Sequence, residues 1–94
     1  MYYTYVLLLA DNDNGDSKKF YVGATSNLQE RILRHKNKSV ETTKKFDKIT
    51  LVYYEACRNK TDALKREIQL KTGFGRGYIK KRLENDIVLI RGIS

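Results

Sequence analysis

Residues 2–10, YYTYVLLLA, are apolar on both alternating faces. A strand with one face in water alternates apolar and polar. A strand without alternation is covered on both sides, so this segment reads as the central strand of the fold. A run dense in turn formers, DNDNGDSKK, follows around Gly15, and FYVG then resumes the strand pattern. That is the signature of a hairpin with a longish loop. If strands 2–9 and 19–23 pair around it, opposite positions sum to about 28. Tyr21 then faces Leu7, and Tyr5 faces Gly23. Both tyrosines project to one side of the hairpin, and Gly23 leaves room there for close backbone approach.

Ser26 is placed to cap a helix, with Gln29 completing a capping-box pattern, and the helix should run to about His35–Asn37. Residues 36–45 are polar and read as a mobile basic loop. ITLVYYEA (Ile49–Ala56) is a third strand. RNKTDALKREIQLKTG supplies a polar start, a helical run and Gly73 as a stop. A shorter helix fits Arg76–Asn85. The order β-β-α-β-α-α implies an α+β fold, a small three-stranded antiparallel sheet flanked by helices, in a domain spanning 1–86. Residues 87–94 form an apolar tail. Its β-like run Ile87–Ile90 is expected as an extra C-terminal strand, or packed on the domain or on a partner.

Charge narrows the function classes. Nineteen Lys and Arg stand against 11 Asp and Glu, a net charge of +8. A surface of that density attracts polyanions, with nucleic acid ahead of an anionic membrane. No apolar run is long enough to span a bilayer, and no secretory leader is recognisable. Cys57 is the single cysteine, so an internal disulfide is excluded and a reducing, cytoplasmic setting fits. One cysteine and one histidine, His35, cannot build a four-ligand zinc site.

Three polar residues sit where apolar ones are expected. Arg31 and His35, four apart, border the face that Leu28 and Ile32 should bury. Solvent-directed Arg31 and a hydrogen-bonded rim His35 are the plain alternative. On a wheel of about 100° per residue with Leu64 at zero, Ile68 lies at about +40°, Glu67 at about −60°, Ala63 at about −100° and Leu70 at about −120°. Glu67 thus falls inside an apolar arc, where a carboxylate is costly unless it is paired or holds a metal.

Taken together, Tyr3-Thr4-Tyr5, Tyr21-Val22-Gly23, Arg31, His35 and Glu67 resemble the ordered motifs of the GIY-YIG nuclease superfamily. LVYYEACRNKTDALKREIQLKTGFGR is similar to the strand-helix segment of its small stand-alone members. The resemblance runs from Tyr3 to about Leu83, nearly the whole chain. It implies a metal-dependent endonuclease in which Tyr5, Tyr21, Arg31, His35 and Glu67 are catalytic and Glu67 holds Mg²⁺ or Mn²⁺, and the five are expected to converge on one concave, electropositive face of the sheet. It also implies in-line attack by water, leaving a 5′-phosphate and a 3′-hydroxyl.

A single carboxylate suits Mg²⁺, which commonly uses one or two plus phosphate and water. Arg31 offers a donor fork for phosphate oxygens. Lys36, Lys38, Lys44, Lys45, Arg76, Lys80 and Lys81 offer phosphate contacts that position without reading sequence. The resemblance implies DNA, duplex or branched, as the substrate, with RNA as the second candidate. Cutting should be structure-directed or weakly specific, with a protein partner as one source of specificity and a role in DNA repair or recombination. The competing class is a catalytically silent nucleic-acid-binding module using the same basic face.

Overall fold

The computed structural model describes residues 1–11 and 18–86. β1 (Tyr2–Ala10) pairs antiparallel with β2 (Lys18–Thr25) on one side and β3 (Lys48–Cys57) on the other, giving the order β2-β1-β3. Helices α1 (Leu28–Lys36), α2 (Lys60–Leu70) and α3 (Gly73–Arg82) complete the expected β-β-α-β-α-α order. The hairpin register is the one read from the sequence, with Tyr5 opposite Gly23 and Leu7 opposite Tyr21. The expected tail and extra strand over 87–94 lie outside the described residues. Among the described residues no helix is long and apolar enough to cross a membrane.

The unbroken apolar run of β1 is explained by a layer on each face. Thr4 to Leu9 are all buried. Val6 points into a cluster with Val22, Leu70, Ile79 and Leu83, beneath α2 and α3. Tyr5, Leu7 and Leu9 point the other way, against Leu28, Ile32, Phe46, Ile49 and Leu51. A register shift between Val6 and Leu7 leaves Val52 as an extra residue in β3, as in a β-bulge. It lets Val52 and Tyr53 both pack on the Val6 side.

Thr4 fixes α2 on that side, its Oγ1 donating to the Ala63 carbonyl at 2.9 Å. A buried hydroxyl needs such a partner. Glu55 anchors the same helix. Burial pushes its carboxyl up, but hydrogen bonds from Arg66 and Tyr53 outweigh that and hold it below the usual range. Arg66 also lies 4.8 Å over the Tyr78 ring, tying α2 to α3 through a cation–π contact.

Four sequence expectations change. Asn27, not Ser26, caps α1, its side chain accepting from the Glu30 amide at 3.1 Å. The reason is that β2 continues to Thr25 and leaves Ser26 in the turn. Gly73 does not stop α2; Lys71 caps that helix, and Thr72 caps α3, which begins at Gly73 rather than Arg76. The buried residues of α2 are Ala63 and Leu70, whereas Leu64 and Ile68 are 42% and 67% exposed. Only the Ala63–Leu70 end of the apolar arc is buried. The helix instead approaches the sheet on its small residue, as the Thr4–Ala63 contact requires. Finally, residues 40–45 are hydrogen-bonded turns rather than an open loop, with Thr43 fully buried.

Candidate active site

Gly23 creates the space in which the site is built. A Cβ at Gly23 would lie 2.5 Å from Tyr5 Oη, so only glycine lets the phenol lie flat against β2. The hydroxyl then reaches His35 Nε2 at 2.8 Å, and His35 Nδ1 lies 2.8 Å from Thr43 Oγ1. The chain is brought back to make that second bond by Lys38, whose φ of 67° is uncommon for a residue with a side chain. Tyr21 packs edge-on to His35, with ring centroids 5.1 Å apart.

Burial sets the protonation of this chain of groups. It pushes the Tyr5 phenol far above the ordinary tyrosine range; Tyr21 and Glu67 add to the rise and Arg31 offsets part of it. Burial, then the charges of Arg31 and Arg34, pull His35 below its usual value. A neutral phenol and a neutral imidazole are mutually consistent. With Nδ1 protonated, Tyr5 donates to Nε2 and Nδ1–H donates to Thr43.

The pH dependence of stability follows from the His35 shift. With the folded value depressed, the unfolded chain binds the proton more readily. The stabilisation is therefore complete above about pH 6.5 and is lost as pH falls through that value toward the folded one. Urea melts taken from neutral to mildly acidic pH should show that loss, and His35→Gln should remove this component of it.

Tyr21 stands on β2, an edge strand, Arg31 on α1 and Glu67 on α2. The expectation that all five residues share one sheet face is corrected: α1 lies on the Tyr5 side, and α2 packs on the Val6 side. Glu67 nonetheless acts on Tyr5, as Arg31 does. The three groups therefore act on the Tyr5 hydroxyl from elements on both sides of the sheet. Arg31 lines a hollow of about 360 Å³ with Ala24, Thr25, Lys60 and Ala63. Tyr21 lines a second of about 310 Å³ with Thr42, Lys71 and Arg76.

Tyr5 and His35 are completely buried, whereas Tyr21, Arg31 and Glu67 are half-buried. The basic residues are dispersed. Lys36 is exposed on α1. Lys38 donates to the Phe46 carbonyl, Lys44 pairs with Glu41, Lys45 stands over the Phe46 ring and Lys81 pairs with Glu84. Lys80 is half-buried, and of these cations Arg76 lines the Tyr21 hollow.

Two site residues were not foreseen. Thr43 lies in a polar stretch with no periodicity to single it out. Lys71 carried a readable signal: it is four residues after Glu67, and its Nζ lies 2.9 Å from Glu67 Oε2, the i,i+4 pairing of a helix.

Gly23→Ala should separate Tyr5 from His35 and cost about 1–3 kcal/mol by overpacking. The obstruction is a side-chain tip, so the protein should still fold, with a lower denaturant midpoint.

The sequence profile of the GIY-YIG catalytic domain matches residues 1–82. A UPF0213 protein of Staphylococcus haemolyticus is 33% identical, the match covering 88% of this chain and 94% of the relative. A UPF0213 protein of Pediococcus pentosaceus is 36% identical, over 94% of this chain and 87% of the relative. No solved structure matches.

Proposed function

Since the chain belongs to the GIY-YIG catalytic domain family, a family of nucleases, we propose that it is a metal-dependent endonuclease acting on DNA. The observation that supports this reading is that Tyr21, Arg31 and Glu67 all act on the one buried Tyr5 hydroxyl, with Arg31 and Tyr21 each lining a hollow. A phosphodiester bound beside that hydroxyl would have a phenol, a guanidinium and a carboxylate within electrostatic reach.

Glu67 suits a hard divalent ion. Its side chain is 20% exposed, and its oxygens are the donors such ions prefer. Among the described residues no group of three His, Cys, Asp or Glu could cage an ion. Substrate and water oxygens would have to complete the shell, as is usual for Mg²⁺. When bound there, Mg²⁺ or Mn²⁺ supplies Lewis-acid polarisation of the phosphate and stabilises the leaving 3′-oxygen. Arg31 binds the non-bridging oxygens, where its fork geometry orients the phosphate. Tyr21 holds the attacking water in line. Tyr5, His35 and Thr43 are positioning residues: their buried hydrogen bonds fix the floor on which Tyr21 rests. A plasmid-nicking assay with and without Mg²⁺ tests the reading.

A binding module that does not cut is favoured by one observation, the Lys71 partner that Glu67 already has. It predicts DNA binding with no Mg²⁺-dependent nicking.

Both readings predict salt-dependent binding, with a log–log slope of about −0.9 per neutralised phosphate on duplex DNA. Arg76→Gln should reduce that slope by about one contact without changing sequence preference. Titrations at several salt concentrations measure it.

A further inference from the structure

The two half-buried carboxylates of the described α2 environment are held differently. Glu55 receives three hydrogen bonds of 2.8–3.1 Å from Arg66. Arg66 is itself pinned by Gln69 and the Tyr78 ring. That pair is a rigid fork serving the fold. Glu67 is met instead by Lys71 at 2.9 Å, with the lysine side chain 54% exposed. The Lys71 backbone is fixed as the C-cap of α2, but its four-carbon stem can pivot, and an ammonium has no preferred plane. The same residue lines the hollow with Tyr21, Thr42 and Arg76, whose floor is Val22, Leu70 and Ile79. Lys71 thus stands between the carboxylate and a hollow edged by a second cation and two hydroxyl groups. That edge suits a phosphate.

We propose that Lys71 is an exchangeable counter-ion, which neutralises Glu67 in the free chain and leaves it for a substrate phosphate in the Tyr21–Thr42–Arg76 hollow. The proposal rests on the reading of Glu67 as the cation's ligand. An ammonium and a divalent ion compete for the same carboxylate oxygen, and each repels the other. A backbone phosphate in the hollow relieves that competition by giving Lys71 a second anion. Nucleic acid therefore raises the affinity for the cation, and by linkage the cation raises the affinity for nucleic acid by the same factor. The free chain carries a closed carboxylate, and substrate opens it.

Lys71→Met keeps the stem and removes the charge; Lys71→Arg keeps the charge. Tb³⁺, whose luminescence nearby tyrosines sensitise, probes the cation site in the free protein. Lys71→Met should bind it about fivefold more tightly than wild type, the upper range for a partly exposed ion pair. Lys71→Arg should stay close to wild type, and Glu67→Gln should lose the site. With EDTA present, a short DNA duplex probes the second position. Glu67→Gln should bind the duplex more tightly than wild type, and that gain should vanish in the Lys71→Met background. Equal Tb³⁺ affinity in wild type and Lys71→Met, with Glu67→Gln still losing the site, overturns the exchange but keeps the metal ligand. A gain from Glu67→Gln that is equal in both backgrounds also overturns it, since it would reflect only the lost negative charge. Tb³⁺ binding that Glu67→Gln leaves unchanged removes the ligand itself, and the exchange with it.

Discussion

Glu67→Gln is expected to reduce Mg²⁺-dependent nicking by about a thousandfold or more, because the loss of metal-supplied charge stabilisation is worth several kcal/mol in the barrier. The amide keeps the size of the side chain and some hydrogen bonding, but not the charge that would hold the ion. Arg31 alone must then offset charge developing on the phosphate. Folding should be nearly untouched. The partner Lys71 is 54% exposed, and a solvent-screened pair of this kind contributes under about 1 kcal/mol. DNA binding should persist, since no basic residue is changed. Melts, binding titrations and nicking assays on this one variant separate the possible roles. Loss of nicking with an intact fold supports the metal site, loss that tracks unfolding makes Glu67 structural, and wild-type rates in a folded protein exclude it from catalysis.

The fold was legible because its main constraint is local. Nine consecutive residues without alternation demand cover on two sides, and Tyr2–Ala10 is the central strand. The hairpin register followed from the same kind of counting, since strand pairing advances by fixed steps. The surroundings of the candidate site residues were less legible. Glu67 reads as part of one apolar arc running from Ile68 through Leu64 to Ala63 and Leu70, of which Ile68 and Leu64 are exposed. It is half-buried because it lies between Ala63 and Leu70 on α2, the two residues that face the sheet. A helical wheel records which side chains are apolar. It does not record which side can approach a sheet most closely, and here the small Ala63 decides that. The plain alternative of a rim position for His35 does not hold: it is fully enclosed, because its second partner, Thr43, arrives from a turn that no periodicity announces.

Gly75→Ala should be the most damaging single-methyl change among the described glycines, lowering stability by about 3 kcal/mol or more, beyond the usual range for a tolerated overpacking. Gly75 is buried in the first turn of α3. A Cβ there would lie 2.2 Å from the Leu70 carbonyl oxygen and 2.3 Å from Leu70 Cα. Those atoms are backbone, and they belong to the end of α2, whose side chain is already packed with Val6, Val22 and Ile79. Gly23 offers the contrast, because its added methyl meets a side chain, the hydroxyl end of the Tyr5 ring, whose displacement leaves the backbone in place. At Gly75 relief requires α3 to move away from α2. That motion would withdraw Ile79 and Leu83 from the core and carry Arg76 away from Tyr21 and Lys71. Gly73 and Gly77 have nothing within 4 Å of an added Cβ. Alanine there should be neutral or mildly stabilising, as expected where glycine's extra freedom only weakens a helix. Denaturant melts of the three alanine variants therefore form one experiment: a large loss at Gly75 alone locates the close approach of α2 and α3, whereas equal, small effects at all three would place the helices further apart.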